Sequence, residues 1–231
     1  MSYSIVFLDA DGTLFDFEHA ERHALESAFG DLGVAYRADH LALYKEVNGE
    51  MWKRLERGEV NQEFMRTERF RLFCERAALE ADPALMSSSY LLHLSEADFL
   101  LDGALETLAA LSGIATLSLI TNGLKDVQRG RLSRSPITTY FADVVISEEV
   151  GSQKPSPQIF EVALQRLGAS DRSSAIMVGD SLSSDIAGGK NAGIATCWYN
   201  PNGEVAPRGS EPDYSVASLS EIPSMVRRGE R

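Results

Sequence analysis

The sequence has few cysteines, a deficit of basic residues and no long apolar run. Its two cysteines, Cys74 and Cys197, lie far apart in no metal-like spacing, which excludes a disulfide framework and favours a reducing compartment. The chain has 22 Lys and Arg and 34 Asp and Glu, so its net charge is −12. No dense basic cluster is present, so binding to a nucleic acid polymer or an anionic membrane surface is disfavoured.

No apolar run approaches the roughly 18 residues that a membrane span requires. The N-terminus lacks a basic region followed by a long apolar stretch, so no signal peptide is predicted. We therefore expect a cytoplasmic protein, monomeric or weakly dimeric, with no nucleic acid or membrane partner. Small phosphorylated substrates stay compatible with the acidic balance, because one lysine and a metal ion can hold a phosphate.

Short apolar runs alternate with helical patterns in most of the chain. The 231 residues, 44% apolar and 24% charged, are typical of a globular protein with a sizeable core. Strand–helix alternation favours a Rossmann-like parallel sheet with helices on both faces, an α/β fold. The predicted strands are Ile5–Leu8, Ala115–Ile120, Asp143–Ile146, Ala175–Val178 and Ala195–Tyr199. A helix is predicted over Pro157–Leu167, with Ser156 as its N-cap.

The stretch from Phe17 to Ala97 has a different pattern. It is rich in Glu, Arg, Leu and Ala, carries no convincing strand, and breaks at Gly33, around Gly58 and at Pro83. Apolar residues recur there at helical spacing, which predicts about four helices. We expect an all-helical subdomain, residues 17–97, inserted into an α/β core of residues 1–16 and 98–231. An insertion joined by two linkers could move as a lid.

Polar and charged residues follow each predicted strand. Ligands of open parallel sheets bind at the carboxyl ends of the strands, so these residues should meet at one edge of the sheet. The candidates, in chain order, are Asp9 and Asp11, then Thr121, Asn122 and Gly123, then Lys154, and finally Gly179, Asp180, Ser181 and Asp185.

These residue types suit one kind of chemistry. Clustered carboxylates raise one another's pKa unless a cation lies among them, and Mg²⁺ prefers carboxylate, phosphate and water oxygens. A carboxylate can also act as a nucleophile and form an aspartyl-phosphate. Phosphoryl transfer otherwise needs positioning and neutralisation of the phosphate oxygens, which a lysine, a threonine hydroxyl and loop N–H groups provide.

Four motifs resemble those of the haloacid dehalogenase superfamily, in that superfamily's order. They are DADGTL from Asp9, LITNG from Leu119, QKPSPQIF from Gln153 and VGDSLSSD from Val178. The inserted helices are similar to the type-1 cap of the same superfamily. Further segments, among them YKEVNGEMWKRLERGEV and SDIAGGKNAGIATCWYN, look like those of the bacterial house-cleaning pyrimidine 5′-nucleotidases.

The resemblance implies a role for each candidate residue. Asp9 would attack phosphorus, and Asp11 would protonate the leaving alcohol and then deprotonate the hydrolytic water. Mg²⁺ would be held by the Asp9 side chain, the Asp11 main-chain carbonyl and Asp180, with Asp185 in support. Phosphoryl oxygens would be bound by Thr121 and by the amides of Asn122 and Gly123, with Lys154 neutralising charge. The substrate implied is a nucleoside monophosphate.

Several alternatives stay open. Asp185 could be the N-cap of a helix that runs to Asn191. His19 and His23 have the spacing of a metal-binding pair, but no third ligand stands nearby, which favours a solvated helix face. Tyr44, Met51 and Trp52 could line a substrate pocket or pack in a helical core. For function, a phosphoglycolate or sugar-phosphate phosphatase, a phosphomutase, a dehalogenase and a phosphate-accepting regulatory domain compete with a nucleotidase.

Overall fold

The computed structural model describes residues 2–228 of the chain, which divides into two compact units. One unit joins Met1–Phe17 to Asp98–Arg231, and the other is Glu18–Ala97. Within residues 2–228, no helix combines the length and the apolar character that crossing a membrane requires. That the second unit acts as a cap stays a prediction, and the two units are described separately below.

Four helices build the Glu18–Ala97 unit, as predicted. They are α1 (Phe17–Asp31), α2 (Ala38–Glu56), α3 (Gln62–Arg76) and α4 (Pro83–Glu96). Local signals explain where two of them begin. The Asn61 side chain accepts a hydrogen bond of 2.8 Å from the Phe64 N–H at the start of α3. Asp82 accepts one of 2.8 Å from the Ala84 N–H at the start of α4, where Pro83 occupies the first helical position.

Aromatic side chains fill the core of this helical unit. The rings of Tyr44 and Phe70 stack with centroids 5.2 Å apart, and Tyr90 lies 5.1 Å from each of them. Tyr44 and Met51 are fully buried, so core packing is the correct interpretation for both, and Trp52 is half-buried. His19 and His23 lie on the exposed face of α1.

A six-stranded, all-parallel sheet forms the centre of the other unit. Its strands are β1 (Ile5–Leu8), β2 (Thr116–Thr121), β3 (Asp143–Ile146), β4 (Ala175–Gly179), β5 (Ala195–Tyr199) and β6 (Tyr214–Val216), in the order β3-β2-β1-β4-β5-β6. All five predicted strands are confirmed within one residue at each end. The sixth was missed, because three residues at a sheet edge carry no recognisable apolar run.

Helices cover both faces of the sheet, as the continuous apolar strands predict. They are α5 (Ala104–Ser112), α6 (Lys125–Arg134), α7 (Ser147–Val150), α8 (Pro157–Arg166), α9 (Ala187–Ala192) and α10 (Ile222–Arg228). Val6 and Leu8 of β1 pack in one core cluster with residues of α5, α6 and α10. Ile5 and Phe7 point to the opposite face and pack with α8 and α9. The predicted α/β architecture is confirmed.

The two chain segments that lead into and out of the helical unit are hydrogen-bonded to each other. The Asp16 N–H donates to the Phe99 carbonyl at 2.9 Å, and the Leu101 N–H donates to the Leu14 carbonyl at 2.9 Å. Asp16 therefore lies in the linker and is not one of the candidate site residues that follow the strands. This pairing holds the segment after β1 in a defined position.

Candidate active site

Three carboxylates from two neighbouring strands converge at the carboxyl edge of the sheet. Asp9 follows β1 directly, Asp180 follows β4, and Asp185 lies five residues further on. Oxygen atoms of the three side chains all lie within 4.8 Å of one another. Since β1 and β4 are paired in parallel register, with Leu8 opposite Val178, their ends deliver these acids to the same place.

Lys154 is the cation of this cluster. It is 1% exposed, and its ammonium group donates to Asp9 Oδ1, to Asp185 Oδ1 at 2.7 Å and to the Ile120 carbonyl at 2.8 Å. A lysine buried without partners would be costly, whereas this one has three acceptors. Lys154 is thus not the surface lysine that its position in a loop would permit.

One lysine does not neutralise three acids. Burial raises the pKa of Asp9 well above its usual value, the charges of Asp185 and Asp180 raise it further, and Lys154 acts in the opposite direction. Although the Asp180 residue is solvent-accessible, its carboxyl lies among many protein atoms beside Asp185. This desolvation, together with the charge of Asp185, raises the pKa of Asp180 to about 7. Burial alone would lower the pKa of Lys154, but Asp185 and Asp9 raise it.

Two glycines allow the carboxylates to approach the backbone. Gly12 has φ of +83°, and a Cβ atom there would lie 2.5 Å from Asp180 Oδ2. At Gly179, a Cβ atom would lie 2.2 Å from Asp185 Oδ2. Both distances are far below van der Waals contact, so the positions of Asp180 and Asp185 depend on the absence of a side chain at these two residues.

Asp185 is fully buried inside a π-helical turn, Leu182–Ile186. Its Oδ2 accepts from the Ser181 N–H at 3.0 Å, and Ser181 is the N-cap, with its hydroxyl accepting from the Ser184 N–H at 3.2 Å. The interpretation of Asp185 as an N-cap is therefore wrong. The extra residue of the π-helical turn is of the kind often found at functional sites.

The loop after β2 brings Thr121, Asn122 and Gly123 beside the Lys154 loop. Thr121 is buried at the end of β2, and its hydroxyl accepts from the Gly123 N–H at 3.0 Å. The Asn122 amide makes two reciprocal bonds with the Lys154 backbone, donating to its carbonyl and accepting from its N–H, both at 2.8 Å. The Asn122 side chain thus joins the two loops.

The Asp11 side chain points to different partners. Its Oδ2 accepts from Gln128 Nε2 at 2.6 Å, and its Oδ1 is paired with Arg131 Nη1. The Asp11 carboxylate is not part of the three-acid group. Sequence reasoning missed Gln128 and Arg131, because α6 is strongly polar and resembles a solvated surface helix. Their spacing of three residues, beginning five residues after the LITNG motif, was the available signal.

Two further side chains hold Asp180. The Thr13 hydroxyl, fully buried, donates to Asp180 Oδ1 at 3.3 Å. The Trp198 indole N–H donates to the Asp180 main-chain carbonyl at 2.7 Å. Neither was identified as a site residue from the sequence, although Thr13 belongs to the DADGTL motif.

This arrangement fits a divalent cation. Three carboxylates and one ammonium group carry a formal charge of minus two, so positive charge is in deficit in this cluster. Oxygen ligands only, with no cysteine or histidine among them, match the preference of Mg²⁺. No other group of three metal-ligand side chains occurs in the described part of the chain, and His19 and His23 take no part in one.

Comparisons with known proteins identify hydrolases as relatives of this chain. A sequence model of the haloacid dehalogenase-like hydrolases matches residues 3–193. Pyrimidine 5′-nucleotidase YjjG of Escherichia coli is 37% identical over 226 residues, which cover 98% of this chain and 99% of that protein. Pyrimidine 5′-nucleotidase PynA of Streptococcus pneumoniae is 33% identical over 223 residues, covering 96% and 94% of the two chains. The similarity to pyrimidine 5′-nucleotidases is confirmed.

A solved structure has nearly the same fold. YfnB of Bacillus subtilis, described as a HAD-hydrolase, superposes with a TM-score of 0.92 at 32% identity, over 98% of this chain and 99% of that chain. That crystal structure is bound to magnesium and is described as revealing interdomain movement.

Proposed function

The chain belongs to the haloacid dehalogenase-like hydrolase family, and we propose that it is an Mg²⁺-dependent phosphatase that hydrolyses nucleoside 5′-monophosphates, preferably pyrimidine ones. The convergence of Asp9, Lys154, Asp180 and Asp185 at one sheet edge is the observation that carries this proposal. An Asp nucleophile beside a lysine and a divalent-cation site is the set of groups that phosphoryl transfer requires.

In the first step, Asp9 acts as the nucleophile. One of its carboxylate oxygens forms a bond to phosphorus while the bond from phosphorus to the ester oxygen breaks. Asp11 gives its proton to that oxygen, so the nucleoside leaves as a neutral alcohol and the phosphoryl group stays on Asp9 as an aspartyl-phosphate. Proton transfer by a positioned carboxyl group typically contributes about 10²–10⁴-fold to the rate.

In the second step, water hydrolyses the aspartyl-phosphate. Asp11, now ionised, takes a proton from the water as its oxygen bonds to phosphorus, and the bond between phosphorus and the Asp9 oxygen breaks. Inorganic phosphate leaves, and both acids return to their starting states. The net reaction consumes one water and yields an alcohol and phosphate.

The phosphoryl oxygens would be held by the loop after β2. Thr121 supplies a hydroxyl, Asn122 and Gly123 supply main-chain N–H groups, and Lys154 supplies positive charge. The reciprocal hydrogen bonds between Asn122 and the Lys154 backbone support this role, because they keep the two loops in one arrangement. Pre-positioned donors of this kind stabilise developing charge without reorganising during the reaction.

Mg²⁺ would be held by Asp9, Asp180 and the main-chain carbonyl of Asp11, with Asp185 supporting through Lys154 or water. When bound, the ion neutralises charge on the transferring phosphoryl group and on Asp9. The raised pKa values of Asp9 and Asp180 support this assignment, since burial and neighbouring carboxylates disfavour their ionised forms and a bound cation would favour them.

The leaving group is inferred from the relatives. The two nucleotidases match this chain along nearly its whole length, so the helical unit Glu18–Ala97 is included in the similarity. We assign this unit the role of a cap that selects the leaving group. Phosphoglycolate and sugar phosphates are the competing substrates.

A panel assay tests the proposal. Initial rates are measured on pyrimidine and purine nucleoside monophosphates, phosphoglycolate and sugar phosphates, with Mg²⁺ and with EDTA. We expect the highest kcat/KM on pyrimidine nucleotides, no turnover in EDTA, and losses of about 10⁴-fold in Asp9→Asn and at least 10²-fold in Asp11→Asn. Asp16→Asn, the same change in the linker, serves as the matched control.

Each part of the proposal has its own contradictory result. Metal-independent turnover, or wild-type rates in Asp9→Asn, contradicts the mechanism. A higher kcat/KM on phosphoglycolate or a sugar phosphate contradicts the substrate assignment and leaves the mechanism intact. Stable phosphorylation of Asp9 by a small phosphodonor, without turnover, favours a regulatory domain.

A further inference from the structure

We propose that Gln128 and Arg131, named here the α6 pair, are positioning residues that set the orientation of the Asp11 carboxylate. The α6 pair donates to both oxygens of Asp11, one from a neutral amide and one from a guanidinium. This inference rests on the proposed function, in which Asp11 transfers the protons of both steps.

The geometry leaves Asp11 able to react while it is held. Gln128 and Arg131 are fully buried on one face of α6, whereas the Asp11 side chain retains 25% of its exposure. The two carboxyl oxygens offer about four sites, two on each, and in the protonated acid one of these sites carries the O–H donor. The α6 pair occupies one site on each oxygen, which fixes the carboxylate plane and leaves the remaining sites for a substrate oxygen or a water.

Arg131 is itself held in place. Its guanidinium carbon lies 4.9 Å from the centroid of the Phe15 ring and 6.0 Å from that of Phe17. Stacking on an aromatic face restricts a guanidinium to one plane, and a charge-assisted bond to a carboxylate is about twice as strong as a neutral one. The Asp11 carboxylate is thus oriented by a group that cannot rotate freely.

Gln128 is poorly explained by stability alone. Its Oε1 is buried and has no hydrogen-bond partner within residues 2–228, which is destabilising. Its amide also lies against the phosphate loop, because a Cβ atom at Gly123 would be 2.2 Å from Gln128 Nε2. An apolar side chain of the same size would avoid the cost. The geometry therefore connects Gln128 to the two groups that act on the substrate, Asp11 and the Gly123 loop.

The effect of losing the α6 pair should depend on the leaving group. A nucleoside leaves as a strongly basic alkoxide unless it receives a proton, whereas p-nitrophenolate is a weak base that leaves without one. Misplacing a reacting group by about 1 Å can cost 10²-fold. Loss of the α6 pair should therefore slow the release of a nucleoside far more than the release of p-nitrophenolate.

The test compares kcat/KM on a nucleoside monophosphate and on p-nitrophenyl phosphate, with Mg²⁺ present. This ratio of constants reports the steps up to departure of the leaving group. The variants are Gln128→Met, which keeps the volume but cannot donate, and Arg131→Lys, which keeps the charge but loses the planar fork. Arg129→Met, on the same helix but paired at the surface with Glu149, is the control. Circular dichroism and Tm establish that each variant is folded.

We expect Gln128→Met and Arg131→Lys to lose at least tenfold more activity on the nucleotide than on p-nitrophenyl phosphate. Arg129→Met should keep its activity on both substrates. In an Asp11→Asn background, Gln128→Met should cause no further loss on the nucleotide, because the group it positions is gone. If Arg131→Lys does not fold, Gln128→Met carries the test alone.

Equal losses on both substrates, or full additivity with Asp11→Asn, would assign the α6 pair a structural role and overturn the inference. Failure of the proposed phosphatase activity has a different signature, since the wild-type protein would then hydrolyse neither substrate.

Discussion

The indole N–H of Trp198 donates a hydrogen bond of 2.7 Å to the main-chain carbonyl of Asp180. Trp198 belongs to β5 and pairs in register with Gly179, so this bond connects the central sheet to the residue that follows β4. Trp198 is almost fully buried and makes no other polar contact with the three acids. Its indole N–H is therefore a support for Asp180.

The first prediction concerns this support. Trp198→Phe keeps an aromatic ring in the core but removes the donor, and loss of such a supporting bond typically costs about 10–100-fold in metal affinity. We expect the apparent Kd for Mg²⁺ to rise about tenfold, measured by isothermal titration calorimetry and by activity against Mg²⁺ concentration. Trp52→Phe, in the helical unit, is the matched control, since these are the two tryptophans of the chain. Equal Mg²⁺ affinities in both variants would contradict the prediction.

The second prediction concerns the bridge between the two loops. Asn122→Ala removes both hydrogen bonds to the Lys154 backbone, so the lysine should lose its fixed position. We expect kcat/KM to fall about 10²-fold, because small displacements of a positioned charge are costly. Asn191→Ala is the control, since Asn191 donates to the neighbouring Pro155 carbonyl at 3.0 Å from an exposed position. Steady-state kinetics give kcat/KM for both variants. An equal loss in Asn191→Ala would assign the effect to general loosening of the loop.

The third prediction concerns pH and Mg²⁺. The pKa of Asp180 rises from 3.8 to about 7 on folding, so between these values the metal-free folded protein holds a proton that the unfolded chain lacks. This contribution to stability is complete below pH 3.8 and is lost as the pH rises through about 7. Mg²⁺ requires the ionised carboxylate, so its affinity should weaken by up to about tenfold for each pH unit below that value.

Thermal unfolding with and without saturating Mg²⁺ measures this linkage. The increase in Tm caused by Mg²⁺ should be large at about pH 8 and small at about pH 5.5, since ligand stabilisation follows affinity. An increase that is the same at both pH values would show that Mg²⁺ and the proton do not compete for the Asp180 carboxylate.

The fourth prediction compares two glycines. Gly179→Ala places a Cβ atom 2.2 Å from Asp185 Oδ2, and relieving such a clash costs roughly 1–3 kcal/mol and displaces Asp185 from Lys154. We expect both Tm and kcat/KM to fall. Gly49 lies within α2, where an added Cβ atom would have nothing within 4 Å apart from its chain neighbours and its own helix backbone. Gly49→Ala should therefore stabilise the protein by up to about 1 kcal/mol. Wild-type kinetics in Gly179→Ala would contradict the proposed role of Asp185.

Much of the architecture follows from local patterns in the sequence. Strands buried on both faces are continuous apolar runs, and the helices between them have a regular apolar face, so both could be recognised without a structure. Since every strand of the sheet is parallel, each residue that directly follows a strand must lie at the same edge. Asp9, Asp180 and Thr121 could be placed together on this ground alone.

Side-chain partners across long sequence separations could not be predicted. Asp11 is paired with residues 117 and 120 positions away, and nothing in the polar sequence of α6 distinguishes a buried Gln128 or Arg131 from a solvated one. The prediction that Asp185 is an N-cap was wrong for a related reason. The π-helical turn shifts the helix start to Ser181, and a turn with one extra residue has no reliable sequence signal.

The sequence by itself determined the order of five strands and four motifs along the chain and the chemical types that follow those strands, because these depend on short-range periodicity and on residue identity. Only the tertiary structure decided which groups touch: Lys154 between Asp9 and Asp185, Trp198 behind Asp180, and the α6 pair around Asp11. Those contacts depend on how each helix is rotated against the sheet. That rotation is set by packing throughout the core, which no local pattern contains.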